Sequence, residues 1–457
     1  MTIDAYTFSM NNQSVFVCGE KKISGQQWAK ECLVLAQKVK TYSERNWLLY
    51  QGDFYQFSQY FFALLLANKN IVLAQSNQLE RLNHAAKFAD ISIGSINDES
   101  TRHELLLPCF CLYKNQGLNE VILTSSADTL TINANTCITL FTSGSTGEAK
   151  AVKKYWYQLA SEIDCLQRLF PQVEEQACIL SSVTHQHIYG LLFKLIWPVF
   201  TNKQIICETI EYPEQVEYYC QSFKNITFIS SPSYLARTVE QFSAQATASI
   251  REVFCSGEAL HFNVADGFLK FNQQVITEIY GSTETGGIAW RQQNLNTHWQ
   301  LFPEHQVTLA QDGTLLLTSN FLPKGKSYKT DDRVELDGRF FSLLGRLDRI
   351  VKLHEKRLSL DEMEAALNNM QKVSACHCFI LNTSKSKAGL VAVIQLEQCS
   401  TAPESSIQKK QLVNECKKIL SLLFEASLLP RKWRFVQQLP FNNQGKLVKK
   451  VLVSLFE

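Results

Sequence analysis

The chain reads as an α/β protein with parallel sheet, closed by a compact α+β unit. Three observations carry this reading. From Asn46 onward, short apolar runs alternate with amphipathic stretches, the pattern of βαβ units. A second series of the same kind starts at residue 177. After Gly345 the character changes, and a short charged segment leads into helices and strands that no longer alternate regularly.

In order, residues 47–50 predict a strand, 55–67 a helix, 71–74 a strand and 78–88 a helix. The second series predicts strands at 177–181, 204–207 and 227–230, with helices at 190–200, 213–223 and 233–242. Residues 313–318 and 339–344 predict antiparallel strands with turns at Asp312-Gly313 and Asp337-Gly338. Beyond the junction at residues 346–349, a helix is expected at 361–370 and strands at 375–381 and 389–396. A loop is expected at 400–406 and a helix at 407–425. Domains are therefore expected at 1–345 and 350–457.

Composition narrows the function. The 457 residues are 45% hydrophobic and 19% charged, enough for a large core. A formal charge of +2, without a long basic run, gives no support for nucleic-acid binding. The apolar stretches at 60–67 and 188–200 are too short to span a bilayer, and the N-terminus lacks the basic start of a secretory signal, so a cytoplasmic protein is expected. The fourteen cysteines are scattered through the chain and are expected as reduced thiols. Cys109/Cys111 and Cys376/Cys378 are too closely spaced for an ordinary zinc site and read as small core residues.

Candidate chemistry sits in a series of short segments. Thr142, Ser143, Gly144, Ser145, Thr146 and Gly147 form a hydroxyl- and glycine-rich loop ahead of Lys150. Backbone N–H groups, hydroxyls and one ammonium suit an anion, although such a loop is equally often a surface turn. It is not a Walker loop, because no Lys-Ser/Thr pair follows a glycine directly. Tyr280-Gly281-Ser282-Thr283-Glu284 offers an aromatic face, hydroxyls and a carboxylate, or else a strand-end turn. Tyr328 to Asp332 and Gly345-Arg346-Leu347-Asp348 cluster charges that fit ribose hydroxyls or a solvated turn. Gly445-Lys446 presents one lysine near the C-terminus.

In order and spacing these segments resemble those of the adenylate-forming superfamily: acyl-CoA and aryl-CoA synthetases, peptide-synthetase adenylation domains and firefly luciferase. The loop at 142–150 resembles T-S-G-S-T-G-x-P-K-G, residues 280–284 Y-G-x-T-E, residues 328–332 Y-x-T-G-D, residues 345–352 G-R-x-D-x-x-x-K, and residues 440–446 P-x-x-x-x-G-K. His187-Ile188-Tyr189-Gly190 is similar to the H-x-x-G of coenzyme A ligases. The resemblance implies a large N-terminal domain of two α/β subdomains and a small barrel, with a mobile C-terminal lid. It implies ATP and Mg²⁺ as cofactors, and a carboxylic acid made into its adenylate with release of pyrophosphate. Thr142 to Gly147 and Lys150 would hold phosphates, and Tyr280 would flank adenine beside Gly257 and Glu258. Thr283 would meet the α-phosphate, Glu284 the metal, and Asp332 and Arg346 the ribose. Lys446 would reach the carboxylate and α-phosphate. His187, Tyr189 and Gly190 would line the acid pocket, and Asp348 would be the hinge.

Several positions depart from the pattern. Ala149 and Ala151 replace proline and glycine, Asp331 replaces glycine, and Glu278 replaces asparagine. Glu355 stands at a glycine of the segment facing the thiol tunnel, which disfavours the phosphates of free coenzyme A. With its short length, the chain looks like the compact bacterial ligases of aryl-polyene-type clusters that charge an acyl carrier protein. No aspartate occurs between Asp164 and Asp266, which argues against an α-amino acid and for an aromatic or fatty one. The alternatives are free coenzyme A as acceptor, an amine or alcohol acceptor, and a binding relative without catalysis.

Overall fold

The structure is a computed structural model that describes residues 4–95, 107–110, 129–143, 149–174, 176–238, 240–353, 356–383, 386–396, 406–441 and 447–456. It forms two compact units: Met1–Gln306 with Thr318–Tyr328, and Val307–Leu317 with Lys329–Glu457.

The first unit contains a two-stranded antiparallel sheet, Ala5–Ser9 with Thr129–Asn133, and two larger sheets. In one of the larger two, Asn70–Leu73, Asn46–Tyr50, Ile91–Gly94 and Cys109–Phe110 run parallel, as the alternating pattern predicts. Cys137–Ser143 joins them in parallel, and Ala149–Tyr155 closes that edge antiparallel. The other sheet has a parallel centre in the order Gln204–Ile206, Cys178–Ser181, Ile226–Ser230, Ile250–Cys255 and Ile276–Ser282. Gly286–Gln292 turns back antiparallel on Ile276–Ser282.

Helix Phe54–Leu66 is apolar almost all round, and its buried residues run from Phe54 to Leu65. A helix of that composition has no face for water and belongs inside a core. Its start is fixed by Asp53, whose carboxylate accepts the Gln56 N–H at 2.7 Å. The core around it includes Trp28, Trp47, Trp156 and Trp197, all fully buried, and draws from both larger sheets. A second cluster, with Phe228, Tyr234 and Phe268, contains alternate residues of the same parallel strands.

Two expectations are corrected. The helix expected at 190–200 is α-helical only at Ile188–Gly190 and Trp197–Phe200, and Leu191–Ile196 winds as a π-helix. Pro198 has no N–H to give and its ring crowds the carbonyl four residues back, so the wider turn relieves the clash. Cys18 and Cys207 form a disulfide, where reduced thiols were expected. Ser14–Cys18 and Gln204–Ile206 pair in parallel, which brings the two Cα atoms to 5.0 Å, within bridging range. Cys376 and Cys378 are buried in the core as expected.

In the second unit Ser327–Asp337 and Phe340–Arg346 form an antiparallel hairpin. Helix Leu360–Asn368 packs on a sheet of Val373–Thr383, Ser386–Leu396 and Lys432–Val436. The loop expected at 400–406 falls outside the described residues except for Ser406, the first residue of helix Ser406–Leu420.

Candidate active site

Alternation along Cys137–Ser143 and Ala149–Tyr155 sets the two arms of the hydroxyl-rich loop. Thr142 lies opposite Lys150 and Ser143 opposite Ala149. Gly144, Ser145, Thr146 and Gly147 lie outside the described residues, as do Glu355 and Lys446. Lys150 is exposed and Thr142 half-buried.

Tyr280 stands at the end of Ile276–Ser282, its ring 5.4 Å from that of Trp299. Arg291 lies 4.3 Å over the ring of Trp299, which is tilted against Tyr280, and grips Glu278 through two hydrogen bonds of 2.8 and 3.1 Å. Glu278, which stands where relatives carry asparagine, is thus a buried, neutralised carboxylate. Ser256 donates its hydroxyl to the Ile279 carbonyl at 2.8 Å, which fastens the Ser256-Gly257-Glu258 turn beside Tyr280.

Thr283 and Glu284, both half-buried, occupy the turn between Ile276–Ser282 and Gly286–Gln292, just after Gly281. The turn is cross-braced: the Ser282 N–H donates to the Thr285 hydroxyl at 3.0 Å, and that hydroxyl donates to the Gly286 carbonyl at 2.8 Å.

His187 is the N-cap of Ile188–Gly190. Only glycine fits at position 190, where a methyl group would fall 2.0 Å from the Thr184 carbonyl oxygen. Tyr189 lies 4.9 Å from Phe193, and burial pushes its phenol up so that it stays neutral. The neighbouring His185 is a core residue: Nε2 lies 2.9 Å from the Gln51 carbonyl, and burial lowers its pKa to about 3. Tyr234 belongs to the second core cluster and packs on Phe228.

In the second unit Asp332 and Arg346 are cross-strand partners, with an ion pair of 3.4 Å. Asp331, at the position of a family glycine, adds a second carboxylate to the same guanidinium at 3.5 Å. Asp348 lies in the short 3₁₀ turn Leu347–Arg349.

The structure adds two residues that the motifs did not flag, Lys154 and Glu162. Lys154 is buried and donates to the Glu284 carbonyl at 2.7 Å and the Phe321 carbonyl at 3.0 Å. Glu162 is buried and accepts the Gly287 N–H at 2.6 Å. Burial lowers the Lys154 ammonium to about 8, against the pull of Glu162 and Glu284. Burial raises the Glu162 carboxyl to about 7, against the pull of Lys154 and the Gly287 N–H. The signal for Lys154 was present: period-2 alternation puts it on the inward face with Val152.

The parallel sheets, with Thr142 and the segment from Tyr280 to Glu284 at the ends of their strands, are those of the adenylate-forming class of ligases. The chain belongs to the AMP-binding enzyme family, whose model matches residues 69–311. Among curated proteins it is 25% identical over 355 residues to tyrocidine synthase 3 of Brevibacillus parabrevis, covering 68% of this chain but 5% of that one. It is 21% identical to the D-alanine–D-alanyl carrier protein ligase of Staphylococcus aureus, over 70% of this chain and 71% of the relative. Among solved structures, ATP-bound MatB from Rhodopseudomonas palustris superposes with a TM-score of 0.81 at 16% identity, covering 97% of this chain and 96% of that one. O-succinylbenzoate coenzyme A synthetase from Bacillus subtilis, in complex with AMP, gives 0.77 at 14% identity over 97% and 96%. No helix among the described residues is long and apolar enough to cross a membrane.

Proposed function

We propose that this ligase activates an aromatic or fatty carboxylic acid as its adenylate and passes the acyl group to the phosphopantetheine thiol of an acyl carrier protein. The carrying observation is the braced Thr283-Glu284 turn, which presents a hydroxyl and a carboxylate at the end of the parallel sheet. A carboxylate that attacks an α-phosphate brings two anions together, so the reaction needs fixed donors and positive charge at phosphorus. Thr283 is the donor we assign to that oxygen, and Lys446 the charge. Thr142 to Gly147 and Lys150 would hold the phosphates. Tyr280, Gly281, Gly257 and Glu258 would frame adenine, and His187, Tyr189 and Gly190 the acid. For Asp332 and Arg346 of the second unit we keep the ribose role, on motif position alone.

Mg²⁺ fits the donor set: it is ordinarily held by one or two carboxylates together with phosphates and water, and Glu284 offers one half-buried carboxylate. When bound, it supplies charge neutralisation at the phosphates. A cytoplasmic site of action follows from the need for ATP.

A carrier protein as acceptor is supported by the carrier named in the Staphylococcus aureus relative and by the carboxylate of Glu355. That relative acts on D-alanine. The absence of aspartate between Asp164 and Asp266 argues for an acid without an ammonium group here. Acid-dependent exchange of pyrophosphate into ATP tests the first step, and Lys446→Ala should lower it by at least ~10²-fold. The second step is tested by kcat/KM for a phosphopantetheinylated carrier and for coenzyme A, in the native enzyme and in Glu355→Gly. A native preference for coenzyme A refutes the carrier reading. An unchanged preference in the glycine variant acquits Glu355 as its cause.

A further inference from the structure

Strand Ala149–Tyr155 leaves the hydroxyl-rich loop and runs straight into helix Trp156–Leu169. Three polar side chains from this continuous stretch point into the core, and all three end on backbone atoms of other segments. Lys154 reaches the carbonyls of Glu284 and Phe321. Gln158, a turn further on, donates to the Phe321 carbonyl at 2.7 Å and accepts the Tyr155 N–H at 2.8 Å. Glu162, a turn beyond that, takes the Gly287 N–H. From the other side, His305 Nε2 donates to the Gly287 carbonyl at 2.6 Å.

Burying an ammonium and a carboxylate is expensive, and apolar side chains of the same volume would serve stability as well or better. The arrangement is specific in another respect. A lysine stem is long enough to cross the core and deliver two hydrogen bonds from one atom, which a shorter amide at this position does not do. Gly286 adopts φ +73°, and a methyl group there would lie 2.5 Å from Glu162 Oε2. The turn is therefore drawn tightly against the carboxylate.

We propose that Lys154 and Glu162 are positioning residues: two buried side chains, one basic and one acidic, that each hold a backbone group of the turn at residues 283–287, and with it Thr283 and Glu284, relative to the strand leaving the phosphate loop. This rests on the reading of Thr283 and Glu284 given above. The pair touches no substrate. It acts through the Glu284 carbonyl and the Gly287 N–H, the two ends of the turn that must hold the reacting groups to a fraction of an ångström.

The test uses Lys154→Met, which keeps the length of the stem, Glu162→Gln, and the double variant, in the full chain. In Lys154→Met, kcat for acid-dependent pyrophosphate exchange should fall about 10- to 100-fold, while KM for the acid stays within about twofold. Amide hydrogen exchange in the peptide covering residues 282–287 should quicken about tenfold. The double variant leaves no unpaired charge, so its Tm should recover relative to Lys154→Met while kcat stays low. If kcat recovers together with Tm, the pair is purely structural and the proposal is overturned. Unchanged amide exchange at 282–287 overturns it as well. A native enzyme without exchange activity toward any acid would sink the functional reading, whereas faster amide exchange in the variants would still uphold the hold on the turn.

Discussion

Glu162 is a carboxyl group whose proton is worth stability. Burial lifts its pKa from the usual 4.5 to about 7, so between those values the folded chain keeps a proton that the unfolded chain releases. A raised pKa contributes stability that is fully present below 4.5 and lost as pH rises through 7. Its size is on the order of 3 kcal/mol. Lys154 behaves oppositely in a separate window: its contribution is present above 10.5 and lost as pH falls through about 8. Glu162→Gln should accordingly flatten the fall in stability between pH 5 and 7, measured as urea midpoints across that range. Parallel slopes in native and variant would mean that the carboxyl ionises normally. At this scale the sequence told only part of the site. Thr283, Glu284 and Tyr280 are legible because a turn after a β-run needs small and polar residues in a recognisable order. Glu162 is not, because a glutamate in a helix is ordinary on a solvent face and only tertiary packing turns it inward, whereas Lys154 had the alternation of its strand as a signal against the habit of its residue type.

Elements were more legible than residues. The continuous apolar run of helix Phe54–Leu66 and the β-rich runs at Asn46–Tyr50 and Asn70–Leu73 leave little freedom, since each can be satisfied only inside a core. The start of that helix also has a local cause, the Asp53 cap. Asp53→Ala should cost about 1 kcal/mol in urea unfolding, with pyrophosphate exchange otherwise native. A loss of several kcal/mol would instead mean that the carboxylate does more than cap, since the backbone N–H of residue 53, which Gln51 accepts at 3.2 Å, is kept in the alanine variant. The π-winding of Leu191–Ile196 escaped the sequence reading because apolar periodicity scarcely separates 3.6 from wider turns over so short a stretch. Pro198, inside that apolar run, was the available clue. The Cys18–Cys207 bridge escaped it for another reason: the cysteines are 189 residues apart, and only sheet order makes them neighbours.

For the whole molecule, the sequence reading put the junction at residues 346–349, whereas the compact units divide earlier and assign Lys329–Glu457 to the second unit. Composition changes at Gly345, but the hairpin of Ser327–Asp337 and Phe340–Arg346 carries strand pairing across it, with Asp332 opposite Arg346. The Arg346 N–H donates to Asp361 at 3.2 Å, and Arg349 pairs with Asp361 at 2.8 Å and with Glu364. His377 Nδ1 lies 3.0 Å from the same Glu364. Such a network holds residues 345–349 in one setting, and a pivot at Asp348 has to loosen part of it on every cycle. We propose Asp348 as that pivot, and proline is the sharpest probe of it. Proline fixes φ near −65° and removes the backbone N–H, so it permits one setting of the turn and resists rotation to another. Asp348→Pro should keep acid-dependent pyrophosphate exchange near the native level. Transfer of the acyl group to a thiol should fall by about 10²-fold. Single-turnover transfer from adenylate formed on the enzyme separates the two steps. Loss of both steps together would mean that proline disturbs the fold around Arg349. Native rates in both would remove Asp348 as the pivot and move the search to the boundary between Tyr328 and Lys329, where the compact units divide.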